Sequence, residues 1–234
     1  MTYVFLVLGL ILVAVFVSKR TAKVTLHVAF LKAVASVCFI LTGLFAMAEN
    51  PDCPKIVGAL IAAGGIWGLL GDIALDLKYV FKKYEKEYLI AGFSCFGVGH
   101  IFYIAALIMA YGFNIKPTLS ALFPMVVSVI IVFASEPLMK VKYGEYKKIT
   151  IAYLVILGYV LGLSWGYLIF DYSVSALILS IGFLLFIGSD VFLSSLYFGA
   201  TEKDRTNRVS IVINHTLYYS AQFLIALSLL FINK

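Results

Sequence analysis

The chain has 234 residues, of which 63% are apolar and only 13% charged, with a mean hydropathy of +1.04. A soluble domain is nearer half apolar and a quarter charged, so these figures exclude a soluble globular domain, a disordered chain and a nucleic-acid-binding module. The net charge of +6 sits in short segments between apolar runs, as in a polytopic membrane protein that faces anionic lipid.

Taken in chain order, the runs between charge clusters predict eight spans, at residues 3–17, 24–48, 56–77, 88–113, 117–135, 149–170, 173–198 and 209–232. A bilayer core asks for roughly 20 apolar residues per helix. The runs are continuous rather than alternating, and lipid leaves no partner for backbone groups outside helices and closed barrels, so helices are expected. The first run has no basic segment before it and no clear small-residue cleavage site after it, so it reads as a retained span rather than a signal peptide. The expected fold class is all-α: one transmembrane domain over residues 1–234, a polytopic membrane helix bundle of eight transmembrane helices.

The loops orient this bundle. Lys and Arg number 3, 4, 4 and 3 in the first, third, fifth and seventh loops, and 1, 1, 0 and 1 in the other loops and the C-terminus, with Lys32 left inside a span. By the positive-inside rule the basic set is cytoplasmic and both termini are outside. The expected location is the bacterial cell membrane. Cys38, Cys53 and Cys95 are an odd count with no metal spacing, so no disulfide framework follows. Gly64 and Gly68 in span 3, and Gly158, Gly162 and Gly166 in span 6, are spaced four apart, which lets helix backbones approach closely.

Spans 3 and 7 each carry an Asp, Asp72 and Asp190, followed by a β-branched residue and, at the third place, Leu; spans 4 and 8 each carry His-x-x-Tyr, at His100–Tyr103 and His215–Tyr218. A duplicated four-helix unit, four plus four, would produce this pattern.

Ionisable residues inside spans are costly and point to function. At about 1.5 Å per residue, Lys32, Asp72, Asp190 and His215 lie about 8 to 12 Å inside the cytoplasmic ends of their spans. His100 and Tyr103 are deeper. Tyr153 and Ser189 add polar groups, and His215, Tyr218, Tyr219 and Gln222 form a stripe at i, i+3, i+4 and i+7. Lys32 and Ser36 also share a helix face. The polar residues of six spans thus describe one pocket on the cytoplasmic side. Asp76 and His27, near span ends, read as interfacial groups instead, and Glu136 as a boundary charge.

Two carboxylates beside one ammonium suit a general acid and a general base. That set fits hydrolysis of an acid-labile bond and equally a proton relay in a proton-coupled or small-molecule transporter. The three histidines, His27, His100 and His215, sit on three spans without His-x-x-x-His spacing, so no metal site is expected. No Gly-x-Ser-x-Gly element or phosphate-cradling loop is present.

Gly71-Asp72, then Phe96-x-x-x-His100-x-x-Tyr103, then Gly188-Ser189-Asp190, then Tyr219-x-x-Gln222 resemble the signature of the YhhN family, the lysoplasmalogenases. The resemblance covers nearly the whole chain. The family's span-2 lysine is usually followed by proline, where this chain has Ala33 after Lys32. The resemblance implies hydrolysis of the vinyl-ether bond of a lysophospholipid taken from the membrane, giving a fatty aldehyde and glycerophosphoethanolamine or glycerophosphocholine. Asp72 and Asp190 are the expected acid and base. Lys32, His100, Tyr103, Tyr153, Ser189, His215, Tyr219 and Gln222 are the expected binding or supporting residues, and no cofactor is required.

Overall fold

The computed structural model, which describes residues 1–233, folds every predicted run into helix. The elements are α1 (Thr2–Lys19), α2 (Leu26–Glu49), α3 (Lys55–Val80), α4 (Glu85–Tyr111), α5 (Ile115–Ser120), α6 (Leu122–Leu138), α7 (Lys147–Phe170), α8 (Val174–Phe198), α9 (Glu202–Arg205) and α10 (Arg208–Leu227). Short polar residues start several of them by taking up free backbone N–H groups. Thr25 caps α2, Ser173 caps α8, and the Asn207 side chain accepts from both Val209 and Ser210 at the start of α10. Gly112, at φ +78°, ends α4 in a conformation that side chains rarely adopt.

Seven helical stretches, counting α5 and α6 as one, are long and apolar enough to cross a bilayer, and the chain is an integral membrane protein. Exposed apolar side chains such as Val4, Ile11, Phe30, Phe123 and Ile130 form its lipid-facing surface. The eighth long helix, α10, falls short on composition because Asn214, His215, Tyr218, Tyr219 and Gln222 are all buried along it. It nevertheless runs the length of the bundle. At one end Arg208 donates to the Val17, Ser18 and Arg20 carbonyls. At the other, Asn50 donates to the Leu229 and Ile232 carbonyls beyond the helix.

The fifth predicted span is broken rather than straight. Pro124 has no N–H for the carbonyl four residues back, and the chain turns at Ala121 between α5 and α6. The glycines of α7 fit against this broken helix. A Cβ on Gly162 would stand 2.5 Å from Ala121 Cα, and one on Gly166 would stand 2.5 Å from Pro117 Cα.

Six helices close a ring: α2 packs on α3, α3 on α4, α4 on α7, α7 on α8, α8 on α10, and α10 on α2. Outside the ring, α1 lies against α2 and α10, while α5 and α6 lie against α7. The six ring helices are those whose sequences carry the intramembrane polar groups, so the ring encloses them.

Candidate functional site

Asp72 sits in α3 at 2% exposure, and its carboxylate is fully engaged. Lys32 Nζ of α2 lies 3.0 Å from Oδ1. Ser36 Oγ, one turn along α2, donates to Oδ2 at 2.7 Å, and Tyr218 OH of α10 donates to the same oxygen at 2.8 Å. Tyr219 OH donates to the Lys32 carbonyl at 2.9 Å and so ties α10 to the turn of α2 that bears the lysine.

The Tyr218 bond ends a directed series. Tyr103 OH donates to Gln222 Oε1 at 2.8 Å, Gln222 Nε2 donates to Tyr218 OH at 3.3 Å, and Tyr218 donates to Asp72. Room for this series comes from α3. A side chain on Gly64 would occupy the place of the Tyr103 ring, and one on Gly68 would meet Gln222 Nε2 at 2.9 Å. Span 3 therefore has small residues where its neighbours insert polar side chains.

Asp190, in α8, is held differently. Tyr153 OH of α7 donates to its Oδ2 at 2.6 Å. Among the described residues no cation lies within 4.0 Å of it. Asp72 and Asp190 line one cavity together with Lys32, Ser189, Asn214 and His215, and its volume of about 30 Å³ is enough for ordered water. Asp190 also borders a second cavity toward Thr150 and Tyr153, and a third, mainly apolar one between α6, α7 and α8, past Ile131, Ile187 and Val191.

The histidines differ in position. His100 Nδ1 bonds the Phe96 carbonyl at 2.7 Å, and its Nε2 is buried without a partner inside an aromatic cage, with Phe186 at 4.6 Å and Tyr153 at 5.8 Å. His100 does not line the cavity of the two acids, whereas His215 does; its Nδ1 bonds the Ile211 carbonyl at 2.8 Å. Ser189 lines the same cavity, and its carbonyl accepts from Asn214 Nδ2 at 2.9 Å. His27 is exposed, and among the described residues no three His, Cys, Asp or Glu side chains form a metal-ligand group.

Asp76 corrects the interfacial expectation. It is 1% exposed, with Arg20 Nη2 at 2.9 Å and Lys32 Nζ at 3.6 Å. Its position one turn beyond Asp72 places it on the same inward face, and the cation that makes its burial tolerable comes from Arg20, just past the end of α1. Nothing in the sequence distinguishes Arg20 from the other loop cations, and Asn214 has no local signal either. Ser36 and Tyr218 were legible, through the Lys32–Ser36 spacing and the α10 stripe.

A ring of apolar helices around a buried polar core, with two acids at one cavity, defines a site inside the bundle rather than one on its surface. The sequence profile of the YhhN family matches residues 28–229, and the chain belongs to that family. Searches among curated proteins and among solved structures return no match.

Proposed function

We propose that this chain is a lysoplasmalogenase, a membrane hydrolase that cleaves the vinyl ether of a lysophospholipid. The observation that carries the reading is the unequal pair of carboxylates at one cavity, and membership in the YhhN family supports it. Arg20 and Lys32 offset Asp72 and Asp76. Asp190 has a hydroxyl partner and, among the described residues, no cation within 4.0 Å. An unpaired buried charge is expensive, so Asp190 keeps its proton in the resting site while Asp72 is the standing carboxylate.

The chemistry follows from that division. Asp190 gives its proton to the alkene carbon remote from the ether oxygen, leaving an oxocarbenium-like cation. The Asp72 carboxylate stabilises this charge in a poorly solvated cavity. Water adds to the cationic carbon and returns a proton to Asp190. The resulting hemiacetal transfers its hydroxyl proton to the glycerol oxygen and collapses to fatty aldehyde and glycerophospho-alcohol. Hydrogen bonds from Lys32, Ser36 and Tyr218 fix the Asp72 carboxylate in place. The Tyr103–Gln222–Tyr218 series fixes the direction of the last bond. The apolar cavity past Ile131 and Val191 is a path for the alkyl chain to reach lipid.

The loop charges orient the Arg20 end of the bundle toward the cytoplasm and both chain ends outward. Substrate then enters from the inner leaflet with its head group on the cytoplasmic side. Purified protein incubated with a lysoplasmalogen and with its saturated-ether analogue tests the reading. The vinyl ether should yield aldehyde and the alkyl ether none, because only an alkene accepts the initiating proton. Absence of aldehyde from folded protein would overturn it.

A further inference from the structure

At the Arg20 end of the bundle a second polar cavity opens between the α1–α2 connection, α3, α8 and α9–α10. Arg20, Thr21, Tyr79, Tyr197, Arg205 and His215 line it, and none of the described residues in its walls is a carboxylate. Arg20 is 5% exposed. Its Nη2 faces Asp76, but its Nε and Nη1 are buried without any hydrogen-bond partner. A guanidinium offers five N–H donors and does not deprotonate in proteins, so a buried one with two idle nitrogens is incomplete.

Further nitrogen donors stand around it. Lys78 is 4% exposed, and no carboxylate lies within 4.0 Å of it among the described residues. Its Nζ stands 3.4 Å from the Tyr197 ring centroid and 4.8 Å from that of Tyr79, behind two rings that form the cavity wall. Arg205 reaches the cavity from the exposed α9. Asp76, the carboxylate that faces Arg20, is shared with Lys32. The cavity therefore offers free donors to an anion with several acceptor oxygens, for which arginine is the usual partner.

Its neighbour supplies the anion's identity. Leu193, Tyr197 and His215 line both this cavity and the one that holds Asp72 and Asp190. We propose that the cavity at Arg20 binds the phosphodiester of the lysolipid head group, one glycerol unit from the bond to be cleaved. This rests on the vinyl-ether reading for the substrate class. It fixes which end of the lipid faces the cytoplasm and makes the phosphate, rather than the alcohol attached to it, the recognised group.

The test is calorimetric binding to the full chain in an uncharged detergent, using ligands that cannot be hydrolysed. They are a 1-O-alkyl lysophosphatidylethanolamine, the matching alkylglycerol without phosphate, and inorganic phosphate. The phosphate-bearing lipid should bind at least tenfold more tightly than the alkylglycerol. Arg20→Gln should weaken the phospholipid about 10- to 100-fold, the range of a lost hydrogen bond to a charged group, and leave the alkylglycerol unchanged. Arg20→Lys should recover part of the loss. Arg205→Gln, on an exposed helix away from the Asp76 pair, should weaken the phospholipid alone by several-fold, and it decides the matter if Arg20→Gln does not fold. Equal affinity for both lipids in the unaltered chain, or equal loss for both in the variants, would overturn the proposal. Inorganic phosphate that binds through Arg20 without competing with the phospholipid would reassign the cavity to a free ion and overturn the lipid assignment. Because none of these ligands is cleaved, a negative result leaves vinyl-ether hydrolysis to its own assay.

Discussion

Asp72 and Asp190 share a cavity but differ in their partners, one meeting an ammonium and two hydroxyls and the other a single tyrosine. Replacing Asp190 with Asn keeps an acceptor for Tyr153 and removes the transferable proton. Its rate of vinyl-ether cleavage should fall about 100- to 10,000-fold, the span of general acid–base effects, with the melting temperature in detergent nearly unchanged. Asp72→Asn should lose a similar factor, and near-normal turnover in both variants would rule out the two-carboxylate mechanism. Asp76→Asn should behave in the opposite way. It removes the only carboxylate facing Arg20 among the described residues, and breaking a buried ion pair costs about 3–5 kcal/mol. Thermal unfolding should therefore show a clear loss of stability, while the rate per folded molecule is retained. Loss of rate with no loss of stability would move Asp76 into the chemistry.

At the scale of the element, helices that read alike in sequence have different duties. The α7 glycines bring backbone against backbone, so Gly162→Leu would drive a side chain into Ala121 and Pro124. Overpacking of this kind costs about 1–3 kcal/mol or more, and the loss should appear as proteolysis in the α5–α6 region before the ring itself opens. The α3 glycines instead make space for Tyr103, Phe96 and Gln222. Outside the membrane, α9 is one turn held by a capping box between Thr201 and Asp204. Hydrogen bonds from Thr201 hold the Asp204 carboxyl below its ordinary range. A carboxyl whose pKa is lowered on folding stabilises the turn above its unfolded value and loses that contribution as pH falls through the folded one. Thr201→Ala should return the Asp204 titration, followed by carboxyl-carbon NMR, toward the ordinary range; an unchanged midpoint would show that the cap does not set it.

At the scale of the whole molecule, the two halves of the ring use the same order of parts. A donor on one helix meets an acid on the next: Lys32 with Asp72, and Tyr153 with Asp190. A His-x-x-Tyr helix follows in each half, and each histidine bonds the carbonyl four residues back. The halves diverge where it matters for charge, since one donor is a cation and the other a phenol. Both ends of the described chain lie at the α2–α3 turn, with the Met1 amine on Glu49 and the Asn233 side chain on the Asp52 carbonyl. Both ends thus lie at one end of the bundle, as an even number of long helices requires, and α10 is the long helix that hydropathy alone undercounts. Single cysteines at 82, 140 and 203 should react with a membrane-impermeant reagent only from the cytoplasmic side. Labelling of position 82 in intact cells would reverse the proposed orientation.

Helical membrane architecture, the eight runs and the family were all legible in the residues, because lipid permits few backbone solutions and long apolar runs declare themselves locally. The sequence also singled out the six helices of the ring, since an ionisable residue within a span cannot face hydrocarbon. Periodicity placed Lys32 with Ser36 and Tyr218 with Gln222, as those pairs share one helix. Which acid faces which partner emerged from the packing of the helices. The Arg20–Asp76 pair joins the end of α1 to the middle of the site, and the Tyr103–Gln222 bond crosses 119 residues of chain. His100 illustrates the same limit. Its depth suggested the cavity, but helix rotation turned its ring into the aromatic cage beside Phe186. Charge compensation and side-chain direction depend on how helices rotate against one another, and that rotation is set by packing across the bundle, not by any one helix.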